Sequence, residues 1–111
     1  MPRQSIFDMP VSKVYPLLLA KVERKGRAKA ELDETIRWLT GYEMDAVDGG
    51  TPYGAFFENA PAMNPRAALI TGKVCGVDVA AIGDPLLKKI RQLDKLVDEL
   101  AKGRPLEKIL R

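Results

Sequence analysis

The stretch Pro85-Leu86-Leu87-Lys88-Lys89-Ile90-Arg91-Gln92-Leu93-Asp94-Lys95-Leu96-Val97-Asp98-Glu99-Leu100-Ala101-Lys102 decides the fold. Leu86, Ile90, Leu93, Val97 and Leu100 recur at alternating spacings of four and three, the period of one helical face. Leu87 and Leu96 widen that seam beyond what a two-stranded coiled coil needs, so this helix is expected to pack against several others in a globular core. Burying the seam amounts to roughly 7 to 15 kcal/mol gross, comparable to the net stability of a whole domain. The opposite face carries Asp84 with Lys88 and Asp98 with Lys102, both in acid-first i, i+4 order, and reads as solvated.

Asp84-Pro85 ahead of this stretch is a helix-start signal that recurs at Asn64-Pro65 and Thr51-Pro52. The side-chain oxygen accepts an unpaired backbone N–H, and proline at the first helical position gives up a donor that had no partner. Gly41, Gly72 and Gly103 follow apolar-periodic segments, where a left-handed glycine ends a helix. Beyond Gly103, Pro105 opens a short helix with Leu106, Ile109 and Leu110, which must dock on this domain or on a partner.

Upstream, residues 11–24 place Val11, Val14, Tyr15, Leu18 and Val22 on one face, with Ser12 as a cap. Pro16 predicts a kink or a delayed start. A second helix is expected over 28–40 from Ala28, Leu32, Ile36 and Leu39, with Trp38 in the core or at its edge. Residues 52–59 predict a short helix bearing Phe56 and Phe57, and a brief one follows Pro65 to about residue 71 with Leu69 and Ile70 inward. Residues 73–82 do not alternate cleanly, which favours an irregular turn and a short helix near 79–82 over a strand. The expectation is one all-α domain over 1–111, a compact multi-helix bundle of short helices around a long C-terminal core helix.

Chemistry is narrowed by absence. The 111 residues contain no histidine and one cysteine, Cys75. That excludes a histidine-based catalytic triad, histidine-ligated or cysteine-rich zinc, an intramolecular disulfide and a histidine pH switch. No cofactor and no metal is expected. Without an apolar run long enough to span a bilayer, or the pattern of a secretory signal near residue 1, a soluble cytoplasmic protein is expected, and the lone thiol fits a reducing interior. The net charge of +3 divides into a basic block (1–27), an acidic block (28–64) and a second basic block (65–111). Such a pattern lets two copies attract each other, lets one chain fold its ends over its middle, or serves solubility alone.

Cys75 is the nucleophile candidate, with Lys73 and Asp78 nearby in Thr71-Gly72-Lys73-Val74-Cys75-Gly76-Val77-Asp78. A neighbouring ammonium lowers a thiol pKa, but no histidine serves as base, and a cysteine among valines is ordinarily a small buried hydrophobe. Thr71-Gly72-Lys73 is not a phosphate loop, because none of the five residues before it is glycine and Val74 replaces the metal-binding hydroxyl. Glu31, Asp33, Glu34, Glu43, Asp45 and Asp48 lack calcium-loop spacing and read as a solvated acidic surface. Lys21, Arg24, Lys25, Arg27 and Lys29 form a basic turn that would contact phosphates in a helix-turn-helix. Glu31, Asp33 and Glu34 in the next helix would repel a nucleic-acid backbone, which argues against that role.

Several blocks taken together resemble a known family: Tyr15-Pro16-Leu17, Glu23-Arg24-Lys25-Gly26-Arg27, Ile36-Arg37-Trp38-Leu39-Thr40-Gly41-Tyr42, Leu69-Ile70-Thr71-Gly72, Val74-Cys75-Gly76-Val77, the run from Leu93 to Gly103, and Glu107-Lys108-Ile109-Leu110-Arg111. Nearly the whole chain resembles the small bacterial proteins grouped as the domain of unknown function numbered twenty-two hundred. The resemblance implies a bacterial, mostly helical, single-domain protein and no particular activity. Where the family pattern has Thr, this chain has Ala28, so a Thr-x-x-Glu capping box ending at Glu31 lacks its first half.

The reading that follows is a non-catalytic cytoplasmic domain acting through protein contacts, with self-association as a homodimer. The alternatives are a small-ligand binder or enzyme using Cys75, Asp78 and Tyr42 in a cleft, and nucleic-acid binding through Arg24, Lys25, Arg27 and Lys29.

Overall fold

A computed structural model describes residues 6–74 and 76–110. Five α-helices occur among them: α1 (Val11–Arg24), α2 (Lys29–Thr40), α3 (Tyr53–Glu58), α4 (Pro85–Ala101) and α5 (Leu106–Ile109). Short 3-10 turns occupy Ile6–Asp8, Met44–Ala46, Pro65–Leu69 and Val79–Ala81. The long helix is α4, and it touches each of the other four. Its Ile90, Leu93, Leu96, Val97 and Leu100 are buried, while Leu86 and Leu87 are half-buried, so the wide apolar stripe meets several partners as its width predicts.

Local chemistry explains the ends of α4. Asp84 Oδ1 accepts from the N–H groups of Leu86 at 2.9 Å and Leu87 at 3.3 Å. That use of the carboxylate replaces the expected Asp84–Lys88 pair, whereas Asp98 and Lys102 do pair at 3.0 Å. At the other end Gly103 takes φ +89°. Its N–H reaches Leu100 O at 3.1 Å and the Arg104 N–H reaches Glu99 O at 3.2 Å, which is the paired closure of a Schellman turn. The chain is thereby turned back, and Ile109 is 0% exposed. Leu106 and Leu110 pack beside it, so the terminal apolar segment docks on this chain, against α2 and α4.

The N-terminus of α1 corrects two expected caps. Ser12 lies inside the helix, and Pro10 occupies the cap position without a side-chain bond. The orphan N–H groups of Val11 and Ser12 donate instead to Thr51 O and Gly49 O, each at 2.9 Å. Thr51 thus serves α1 through its carbonyl. Pro52, not Thr51, stands at the cap position of α3, and the Tyr53 N–H donates to Met9 O at 2.7 Å. No delayed start accompanies Pro16: the carbonyl its ring leaves unpaired belongs to Ser12, and both residues are exposed to water.

Asn64 caps the Pro65–Leu69 turn through the Arg66 N–H at 2.9 Å, as expected, but the tighter 3-10 turn ends at Leu69 and buries Ile70 alone, leaving Leu69 57% exposed. The same segment closes the C-terminus of α2. Trp38 O accepts from Asn64 Nδ2 at 3.2 Å, Leu39 O from Asn64 N at 2.9 Å and Thr40 O from Ala62 N at 3.1 Å. This approach is so close that a Cβ on Gly41 (φ +82°) would lie 2.8 Å from Ala62 Cβ. Gly72 has the expected positive φ without ending a helix, since the 3-10 turn before it is capped by Ile70.

Residues 73–78 depart from the expected irregular turn. Lys73–Val74 (β1) and Val77–Asp78 (β2) pair antiparallel, with Lys73 opposite Asp78 and Val74 opposite Val77. A left-handed Gly76 (φ +77°) lets the chain reverse, and the Val79 N–H bonds Gly72 O at 3.0 Å. The short helical turn expected next is present over Val79–Ala81.

Candidate functional site

Cys75 lies outside the described residues. Its expected companions hold structural positions. Asp78 Oδ1 accepts the Ala80 N–H at 3.0 Å and so caps the following turn. The Tyr42 hydroxyl donates to Phe56 O at 2.8 Å, and its ring stacks on Phe56 with centroids 4.2 Å apart. Burial raises the Tyr42 pKa. These two side chains therefore serve packing and backbone satisfaction.

The basic turn divides in two. Arg27 pairs with Glu31 at 2.5 Å and Lys29 with Asp33 at 2.8 Å, each four residues on. The Glu31 carboxylate also accepts the Ala28 N–H at 3.2 Å, one half of the capping box. Arg24 and Lys25 go the other way. With Lys21 and Lys102 they line an open depression of about 650 Å³ where the C-terminal ends of α1 and α4 meet, its floor made by Asp98 and Ala101. Asp98 lies 3.7 Å from Lys21 and 3.0 Å from Lys102. Burial alone would raise its pKa, but the Lys102 hydrogen bond and the charges of Lys102, Lys21 and Lys95 carry it below the usual carboxylate value. Cations at two helix C-termini also meet the negative ends of both dipoles.

Lys29 belongs to a second arrangement. Its ammonium sits 5.8 Å from the centroid of the Tyr15 ring, and the Tyr15 hydroxyl donates a hydrogen bond to the Asp33 carboxylate that Lys29 also holds. Burial first, then the Asp33 hydrogen bond and charge, push the Tyr15 pKa up to about 12, so the phenol stays protonated. The Asp33 bond likewise raises the Lys29 pKa and keeps it charged. Tyr15 and Lys29 line a groove of about 260 Å³ with Val11, Ser12, Met44, Val47 and Gly49. Of this set the sequence reading singled out only Lys29 as a candidate. Lys29 and Asp33 are readable as an i, i+4 pair, but nothing local signals Tyr15, 18 residues from Asp33.

Beneath α1, Tyr53 is buried against Phe56 and Phe57, and its hydroxyl has no hydrogen-bond partner among the described residues. Among the described residues no group of three or more acidic, cysteine or histidine side chains could hold a metal ion. No helix among them is long and apolar enough to cross a membrane.

Residues 5–111 match the model of a family described as an uncharacterized protein conserved in bacteria, the domain of unknown function numbered 2200. The chain belongs to this family. A solved structure described as the crystal structure of uncharacterized protein SP1917 shares the fold, with a TM-score of 0.90 at 44% identity. The likeness covers 98% of this chain and 93% of that one. No curated protein matches. Family membership and fold are thus established together, and both leave the function to be argued from surfaces.

Proposed function

We propose that this family member is a non-catalytic cytoplasmic domain that works through protein contacts, and that its contact surface is the outer face of α1 running onto the end of α4. One observation carries the reading. Leu17 is 64% exposed beside the exposed Pro16 and Ala20, and this apolar strip leads directly into the Lys21, Arg24, Lys25 and Lys102 depression. Leu17 and Lys21, like Ala20 and Arg24, are one helical turn apart, so the apolar and cationic parts form one surface. Such a surface complements a protein segment carrying an apolar side chain flanked by acids.

Two copies meeting face to face across α1 would oppose Lys13, Lys21, Arg24 and Lys25 to themselves. Self-association through this surface would therefore use exposed acids of the second copy, such as Glu58 or the Glu34 and Glu43 that share Arg37. The test is fluorescence polarisation with a labelled peptide of alternating Glu and Leu, alongside light scattering of the same variants. Binding should weaken with salt and be lost in both Leu17→Ser and Lys25→Glu. Equal binding by all three proteins refutes the surface. A duplex oligonucleotide that binds more tightly than the peptide and ignores Leu17→Ser would favour the nucleic-acid reading instead. A mass above the monomer that disappears in both variants identifies a second copy as the partner.

A further inference from the structure

The groove beside Tyr15 adjoins the Pro16 end of that surface, Ser12 and Pro16 being one helical turn apart, but has a different chemistry. Its walls are apolar at Val11, Met44 and Val47, and the polar groups beside them are the Ser12 hydroxyl and the Lys29 ammonium. Asp33 takes one Lys29 N–H at 2.8 Å, and the Tyr15 ring lies against the same ammonium, so the cation is held in place while its side chain stays 51% exposed. The Tyr15 hydroxyl oxygen is also within hydrogen-bond reach of this ammonium, so one N–H donor remains for an incoming oxygen. The Asp33 carboxylate is held by the Tyr15 hydroxyl and Lys29 together, so its charge is balanced by the ammonium rather than left unpaired beside the groove. Ser12 and Lys29 thus present donors to a groove with apolar walls.

Val11, Tyr15 and Met44 also line a void of about 10 Å³ immediately inside, bounded by Leu18, Ile36, Tyr53, Phe56 and Leu93. That is roughly the space of one water. Met44, unbranched and with three rotatable bonds, is the side chain best able to shift and admit a small apolar group from the groove. Sites for drug-sized molecules are generally larger, about 300 Å³ or more, so the occupant has to be small.

We propose that this groove binds a small carboxylic acid with a compact apolar body. Its carboxylate bonds Lys29 Nζ and Ser12 Oγ, and its body lies on Val11, Met44 and Val47.

The experiment is a titration of the full chain with sodium benzoate and sodium isovalerate, followed by amide NMR, with sodium acetate as the anion lacking an apolar body. Benzoate or isovalerate should move the amides of Ser12, Tyr15, Lys29, Met44 and Val47, at concentrations at least tenfold below those acetate requires. Lys29→Met, which keeps the stem of an exposed side chain, should weaken binding at least tenfold. Val47→Phe, which fills the groove, should abolish it, and Leu17→Ser should leave it unchanged. Amide spectra of each variant before titration report whether its fold is kept. The inference is overturned if acetate matches the larger acids, if the shifts centre on Lys21, Arg24 and Lys25, or if folded Lys29→Met binds as the parent does.

Discussion

Ala28→Thr restores the missing half of the capping box, and the structure sets how much it can contribute. Ala28 sits at the cap position of α2 with φ −91° and ψ 153°, extended angles that suit a β-branched residue. Glu31 already serves the Ala28 N–H at 3.2 Å. What is absent is a side-chain oxygen for the N–H groups of Ala30 and Glu31. The Glu31 N–H meanwhile makes a 3.1 Å bond to Ala28 O, which Leu32 shares at 3.4 Å. Ala28 and Ala30 are exposed, so water also serves the free donor. The full range for a cap is ~0.5 to 2 kcal/mol; with one donor partly satisfied and the other hydrated, the gain should fall at about 0.5 to 1 kcal/mol. For a chain of this size that is roughly 2 to 5 °C in melting temperature. Urea unfolding should give a higher midpoint at an unchanged slope. The decisive comparison is Ala28→Thr in the Glu31→Gln background. Because the two side chains bond different N–H groups, most of the gain should survive there. An unchanged or lower midpoint for Ala28→Thr alone would refute this helix start.

Tyr53→Phe should stabilise the protein by about 1 kcal/mol, because it removes a buried hydroxyl without a partner while keeping the ring contacts to Phe56 and Phe57; a fall in urea midpoint would mean that the hydroxyl is bonded in solution. Burial raises the Asp94 pKa, and the Arg91 hydrogen bond with the charges of Arg91 and Lys21 only partly offsets it. A raised carboxylate pKa contributes stability that is full below the usual aspartate value and is lost as pH rises through the folded value. Asp94→Asn should therefore gain on the parent between acid and neutral pH in paired urea melts, and a parallel pair of pH profiles would contradict this. Ile109→Ala should cost about 2 to 5 kcal/mol, since Ile109 is fully buried; a loss under 0.5 kcal/mol would show that α5 is not docked in solution.

How much of this was legible in the sequence depended on how local each determinant is. The course of α4 is written in its own residues, through the seam from Leu86 to Leu100 and the Asp84 cap. The caps of α1 and α3 are not, because their donors are served by carbonyls from the other segment: Thr51 and Gly49 for α1, Met9 for α3. The hairpin at 73–78 escaped the alternation test because a two-residue ladder is too short to alternate. In the basic turn, Glu31 and Asp33 were legible as acids hostile to a nucleic-acid backbone. Their actual effect is to remove Arg27 and Lys29 from the cluster by i, i+4 pairing. The replacement cation, Lys102, comes from the far end of the chain and has no sequence signature.

That replacement bears on what the charge blocks mean. The acidic middle of the chain could have drawn the two basic blocks apart, yet Lys21, Arg24 and Lys25 from the first meet Lys102 from the last. Two unit charges ~8 Å apart in water repel by about 0.5 kcal/mol, so the several pairs here oppose this arrangement by an amount comparable to one helix cap. Asp98 and two helix C-termini offset part of that cost. The core then decides the matter. Val22 on α1, with Val97 and Leu100 on α4, is fully buried close to this end, and at ~1.5 to 3 kcal/mol each such burial outweighs the repulsion. The cationic end is thus a consequence of how α1 and α4 pack. With the C-terminal apolar segment docked on its own chain, the motive for association passes from Leu106 to Leu110 to Leu17 and the cations beside it. Association through that end should therefore weaken with salt, whereas association through the terminal segment would not.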